Sequence, residues 1–190
     1  MSTLKTLRRA ALGSALALIA STAAFAQSTI LVVDTAKVYN DSSVGQHVTR
    51  QMESMRTTTT SSLQAQASPL EARQKSLATR ADGKTQQQVL QDATLRSEIQ
   101  ALQKDSIKLQ QDLAIAQREL QITEAKARQL VNAKMKSIID SIARERNADV
   151  VLEKQLVIYG EPADITPTVL QRLNSQMTTV PVTRERLPRG

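Results

Sequence analysis

Between Gly83 and Gly160 the chain runs through 76 residues without a glycine or a proline. Ordinary usage of roughly 12% Gly plus Pro would place about nine breakers there. The span is therefore free to run as helix for most of its length, far beyond the usual ~11–12 residues. Its small, polar and charged residues exclude a helix buried on all sides, whether in a globule or a bilayer. The feature predicts a long, solvated helix that reaches away from a body.

The N-terminus has another character. Lys5, Arg8 and Arg9 precede the apolar run Ala10–Ala20, which is too short to span a bilayer comfortably. Ala24-Phe25-Ala26 is a small-x-small cleavage pattern, so residues 1–26 predict a signal peptide and a mature start at Gln27. An uncleaved anchor is the alternative. The chain has no cysteine, which excludes a lipobox and disulfides. The leader carries three of the 25 basic residues and no acidic one, so the net charge falls from +7 to +4 on cleavage. So mild an excess does not describe a dedicated nucleic-acid binder. Tyr39 and Tyr159 are the aromatics that remain after Phe25 leaves. Two aromatics cannot furnish a large core in one chain, so extended helices and a core shared between chains are both expected.

Thr29–Asp34 (TILVVD) reads as a strand and Thr35–Tyr39 as a turn or short helix. Asp41, Ser42 and Ser43 are N-cap candidates for a helix from about Val44. On it Val44, Val48, Met52 and Met55 share one face. The hydroxyl tract Thr57–Ser62 weakens that helix. Ser68-Pro69-Leu70-Glu71 reads as a capping box with proline first, which predicts a kink or restart at Ser68. Asp82-Gly83-Lys84-Thr85 is a reversal, with Gly83 left-handed and Thr85 and Gln88 forming the next capping box. So short a loop makes the two helices an antiparallel hairpin.

The return arm carries Leu95, Ile99, Leu102, Ser106, Leu109, Leu113, Ala116, Leu120, Thr123, Ala127 and Leu130 at alternating steps of four and three, a heptad seam. A helix over 86–146 would be roughly 90 Å long. It outruns the outgoing arm, so Gln121–Arg146, with its fatter stripe of Leu130, Val131, Met135, Ile138, Ile139 and Ile142, must root in a core. Asp149–Glu153 and Leu156–Tyr159 read as strands with a loose connection at Lys154-Gln155. A last helix is capped by Thr166, starts at Pro167 and buries Val169, Leu170 and Leu173. The organisation is thus a leader (1–26), a first body strand (27–43), an arm (44–120, tip 82–85), the rest of the body (121–177) and a disordered tail (178–190).

This order of parts resembles the Skp/OmpH family of periplasmic chaperones. The resemblance is carried by Ile30–Tyr39 (ILVVDTAKVY), by Asp149–Leu173, and within the latter by Tyr159 followed by Asp164-Ile165-Thr166-x-x-Val169-Leu170. It covers the mature chain to about Leu173; the hairpin matches only in length and periodicity. It implies an α+β fold, with a coiled-coil tentacle projecting from a small β-body shared between three chains. Ile30, Val32, Val150, Leu152, Val157 and Tyr159 are then the expected trimer body, which would also cover the strand edges. The implied activity is ATP-independent holding of unfolded outer-membrane proteins in the periplasm, in a cavity between three tentacles.

Met52, Met55, Leu63, Leu70, Leu77 and Leu90 are the candidate client-facing surface. Core packing is the stronger reading of the two methionines. From Arg50 to Lys104 eight basic residues face five acidic ones, a balance that would attract acidic clients, anionic membrane lipid or lipopolysaccharide. That charge is modest beside strongly basic members of the family, and Pro69 with the threonine tract departs from its pattern. His47 has no cysteine or second histidine to join in a metal site. No Ser-His-Asp set and no glycine-rich phosphate loop is present, so a non-enzyme without cofactor is expected. The competing class is a structural periplasmic coiled-coil adaptor, which has no need of trimerising strands.

Overall fold

The structure, a computed structural model, describes residues 28–188. The predicted leader lies outside them. In chain order the elements are β1 (Ile30–Val33), α1 (Thr35–Asp41), α2 (Ser43–Ala81), α3 (Gln86–Gln91), α4 (Ala93–Glu145), β2 (Val150–Glu153), a single 3-10 turn (Lys154–Leu156), β3 (Ala163–Asp164) and α5 (Thr166–Gln176). The architecture is the expected α+β arrangement of a helical hairpin on a small sheet.

The sheet has the order β2-β1-β3, and both outer strands run parallel to β1. Ile30 pairs with Val150 and Val33 with Glu153 on one side, and Leu31 with Ala163 on the other. A central strand flanked on both edges reads as a continuous apolar run, which is why Leu31, Val32 and Val33 are all buried. The predicted strand at Leu156–Tyr159 does not form. After Lys154–Leu156 turns, the chain loops through Gly160 (φ +98) and reaches the far edge of β1 only at Ala163. Parallel pairing forces the chain back to the starting end of β1, and the β-branched Leu156–Tyr159 stretch is used up in that return.

The corner between β1 and the arm is built from caps. The Asp34 carboxylate accepts the Lys37 N–H at 2.7 Å and starts α1. Ser42 ends α1, its N–H donating to the Val38 carbonyl, and begins α2, its hydroxyl accepting the Gly45 N–H at 3.1 Å. The same hydroxyl donates to the Tyr39 carbonyl at 2.9 Å. Thus Ser42, of the three cap candidates, is the one that fixes the departure angle of the arm.

α2 is continuous for 39 residues, roughly 60 Å. Pro69 lies inside it, and the capping box read at Ser68 does not form. The Ser68 hydroxyl instead donates back to the Gln64 carbonyl at 3.0 Å. Pro69 is exposed, so the carbonyl it leaves unpaired can be met by water and the helix survives. The tip follows expectation: Gly83 has φ +74, and Thr85 and Gln88 form a reciprocal capping box. The return arm is broken once, however. Asp92 accepts the Leu95 N–H at 3.0 Å, ends α3 and caps α4, so the single helix expected over 86–146 is two. An aspartate bonded to a backbone N–H and to Lys84 offers the chain an alternative to the helical ladder.

The seam also drifts. Leu95, Ala116, Thr123 and Ala127 are buried as read, but Leu113 and Leu130 are exposed and Glu119 and Val131 are inside. A straight α-helix slips ~20° per heptad against a strict seven-residue repeat. Toward the root the buried positions therefore step by four, through Thr123, Ala127, Val131 and Met135. There α4 enters the core, where Val131, Met135, Ile138 and Ile142 meet Val38, Val44, Val48 and Met52, with Ile165 just before α5 and Val169 and Leu173 within it closing the core. Thr166, expected to cap α5, turns its hydroxyl to the Asp34 N–H at 2.9 Å, while Asp164 accepts the Thr166 N–H at 2.8 Å.

The described part of the tail packs on the rest of the chain, against expectation. Val180 is buried on the core and Val182 packs beside it, and residues 184–187 are bonded to the hairpin.

Candidate functional site

Three regions of the surface merit a chemical reading: the body edge, the arm, and the place where the tail meets the arm. At the body edge, Ile30 and Val150 are each 41% exposed, Leu156 is 68%, Tyr159 97% and Ile158 fully exposed. Ile30, Leu152, Val157 and Tyr159 line one groove of about 510 Å³, together with Leu156 and Ile158. Val150 faces a different depression beside Ile139, and Val32 is an inside residue of this chain's own core. Of the six residues read as a trimer body, four thus come together. Leu156 and Ile158 join them, although in sequence they read as ordinary strand positions. The loop is pinned by the Lys154–Asp164 ion pair at 2.7 Å. Lys154 and the Thr166 bonds hold the Asp164 carboxyl well below its ordinary value, at about 2. The two aromatics divide between inside and outside. Tyr39 is buried with the Arg128 guanidinium 4.5 Å over its ring, a cation–π contact that ties α1 to α4.

On the arm, the predicted client-facing set does not share one surface. Met52 and Leu77 are buried between the helices, because apolar positions at helical spacing in a two-helix arm face the partner helix first. Met52 thus follows the stronger of its two readings, and Leu77 belongs to the core and not to the client-facing surface. Met55, Leu63 and Leu70 are half-buried, and Leu90 is exposed on α3 near the tip. Leu63 lies with Ala67, Leu109, Leu113 and Leu120 along an open groove of about 280 Å³ between the helices. Ion pairs bridge the helices from root to tip: Arg56–Glu124 and Arg73–Asp105 at 2.8 Å, Arg80–Glu98, and Lys84–Asp92 at 3.1 Å. All four fall on nearly the same antiparallel register. Exposed pairs contribute little energy each, roughly 0–1 kcal/mol, but they disfavour a slip of the hairpin.

The third region was not anticipated at all. Glu119 is completely buried on α4, yet every partner of its carboxylate comes from the tail. Arg184 Nε donates to Oε2 at 2.8 Å, the Leu187 N–H donates to Oε1 at 3.1 Å, and Arg186 lies 3.7 Å away. Arg184 also donates to the Thr59 hydroxyl of α2 at 2.9 Å. Burial works to raise the Glu119 pKa, but the Leu187 N–H and the arginines outweigh it and hold the carboxyl below its ordinary value. In sequence Glu119 looks like any solvated helix charge. The available signal was a threonine four residues on, together with an arginine-bearing tail able to return.

With this geometry in view, the chain can be set beside known proteins. The family described as "Outer membrane protein (OmpH-like)" matches residues 29–173. The chain belongs to the OmpH-like family. A solved structure of a Caulobacter crescentus CB15 protein, described as an OmpH-like outer membrane chaperone, shares the fold at a TM-score of 0.72. It is 22% identical, and the match covers 85% of this chain and 93% of that one. No curated protein matches the chain. The OmpH-like match begins at β1 and stops within α5, so it includes the body and the hairpin but not the tail that holds Glu119.

Proposed function

We propose that this protein is an ATP-independent periplasmic holdase chaperone. It acts as a homotrimer whose three arms enclose unfolded outer-membrane proteins until they are delivered to the outer membrane. The observation that carries this reading is the OmpH-like match across both body and hairpin. The chaperone description of the Caulobacter protein supports it, as does the leader read over 1–26. The apolar body edge favours assembly. Ile30, Leu156, Ile158 and Tyr159 expose a contiguous patch of a kind that soluble chains normally cover.

A holdase needs many weak contacts rather than one tight site, because several arms supply retention by avidity. Each arm offers them in the Leu63–Leu113 groove, at exposed Ile107 and at Leu90 near the tip. The basic excess of the arms draws acidic clients and anionic lipid or lipopolysaccharide toward them. Holding the unfolded client then competes with its aggregation by mass action, without nucleotide.

The test is suppression of aggregation when a urea-unfolded outer-membrane β-barrel is diluted into buffer without ATP. Full suppression at a few-fold excess of trimer is expected. Unchanged turbidity at that excess would leave only a structural coiled coil. Light scattering checks the assembly separately: a trimer is expected at micromolar concentration, and a monomer or dimer would remove the shared-body model.

A further inference from the structure

Residues 180–187 lie outside the family match and are not needed to complete the hairpin, yet they make several polar contacts with both of its helices. The Glu185 N–H donates to the Thr123 hydroxyl at 2.9 Å, and the Leu187 N–H donates to the Glu119 carboxylate. Thr123 in turn donates to the Glu119 backbone carbonyl at 2.7 Å, so its hydroxyl is satisfied in both roles. The spacing explains why an extended chain fits. Acceptors four residues apart on a helix are roughly 6 Å apart along its axis. N–H groups two residues apart on an extended chain are separated by roughly 6.6 Å. A helix face with acceptors at 119 and 123 thus reads the backbone of a strand running the opposite way, whatever its sequence. Arg184 adds the selective element, because it reaches the Glu119 carboxylate on one helix and the Thr59 hydroxyl on the other.

The place of contact is also informative. It lies on the hydroxyl tract Thr57–Ser62, the stretch of α2 with the poorest intrinsic helix preference. The helices are loosely packed there. One open groove of about 280 Å³ runs past Thr59 and Leu63, and another of about 250 Å³ beside the same residues is flanked by Arg184 and Arg186.

We propose that Thr59, Glu119 and Thr123 form a binding site for an extended, arginine-bearing polypeptide segment. The chain's own tail is its resident occupant, and occupancy locks the two arm helices together at their weakest stretch. The proposal does not depend on the chaperone reading. Vacating the site frees the arm to open between residues 57 and 63, and a segment of the same chemistry supplied from outside closes it again.

Hydrogen exchange on the full chain tests this. Arg184→Ala and Glu119→Gln should each speed exchange about tenfold or more over 57–63 and 115–123, the loss expected when a charged hydrogen bond is removed. The double variant should be little worse than either single one, since both break the same contact. A peptide of residues 179–190 at millimolar concentration, of the order a tethered tail provides, should restore protection to Arg184→Ala. The same peptide with alanine at position 184 should not. Unchanged exchange in both variants would overturn the lock, and failure of the peptide to restore protection would overturn the site. Loss of protection spreading to β1 and α5 would make the tail a plain part of the core, and would equally overturn the proposal.

Discussion

Gly45→Ala should destabilise this protein, although helix preference alone argues the reverse. Alanine is favoured over glycine inside a helix by roughly 0.5–1 kcal/mol. Gly45, however, lies in the first turn of α2, pressed against the end of α1. A Cβ there would sit 1.8 Å from the Tyr39 carbonyl oxygen, 2.9 Å from its carbon and 3.0 Å from Ser42 Oγ. Comfortable carbon contacts begin near ~3.5 Å, so the end of α1 would have to retreat by more than an ångström. The obstacle is backbone and cannot rotate away. Retreat also stretches the Ser42–Tyr39 hydrogen bond and shifts Val38 and Tyr39 within the core. Overpacking costs about 1–3 kcal/mol and the hydrogen bond about 1. Subtracting the helix preference leaves a net loss of roughly 1–3 kcal/mol. In urea, with a slope of about 1–3 kcal/mol/M, the unfolding midpoint should fall by roughly 1 M. Far-UV ellipticity at fixed protein concentration measures it. Gly83→Ala is the contrast: that Cβ meets open space, so only the strain of φ +74 is felt, and at the arm tip. A midpoint for Gly45→Ala at or above the wild-type value would refute the reasoning.

Pro69→Ala should stabilise α2 locally by up to about 3 kcal/mol, because the helix already runs through this position; slower hydrogen exchange on both sides of residue 69 is the check. Ile138→Ala removes a side chain that is 3% exposed at the centre of the core and should cost about 2–5 kcal/mol, read from thermal unfolding. Asp164 and Glu145 both have folded pKa values lowered to about 2, by the Lys154 bond and the Arg172 bond respectively. Their contribution is fully present above the ordinary carboxylate pKa values and is lost as pH falls from about 4.5 toward 2. The Asp164→Asn, Glu145→Gln double variant should therefore show a flatter urea midpoint across that interval, and an unchanged slope would exclude both pairs. Ile158→Ser should leave an isolated chain within about 0.5 kcal/mol of wild type, because Ile158 is fully exposed, yet weaken a shared body; light scattering across a dilution series separates the two.

The hairpin was legible because its signals are local. Gly83 is left-handed for want of a Cβ clash, and Thr85 with Gln88 closes a capping box that any reader of the sequence can mark. Ser42, β1 and α5 were readable for the same reason. The errors share a different cause. Pro69 stays helical because it lies on an exposed face, where water can meet the Ala65 carbonyl it leaves unpaired, and Asp92 breaks a helix because Lys84 and the Leu95 N–H bond its carboxylate. Leu156–Tyr159 has the composition of a strand but no edge to pair with, since β3 takes the far side of β1. Met52 and Leu77 carry the residue types of an adaptable surface, and only the partner helix decides that they are covered. The Glu119 site escaped most completely, because it joins residues more than 60 positions apart through a tail that reads as solvent-loving.

The distribution of contacts along the arm gives its mechanics. At the root, Val131, Met135, Ile138 and Ile142 are buried against two other helices, and each contributes about 1.5–3 kcal/mol as an upper estimate. Toward the tip the fully buried apolar side chains are Leu77 and Leu95, with exposed ion pairs worth far less each. Between them, around Thr59 and Ala116, hydroxyl and methyl groups leave grooves on both sides of the seam. A rod held at two ends and underpacked between them opens first in the middle, where local unfolding removes the least apolar contact. The tail lies across that middle, and its Arg184 joins both helices. Under the proposed lock, the stiffness of the arm's middle is therefore set by a segment outside the hairpin.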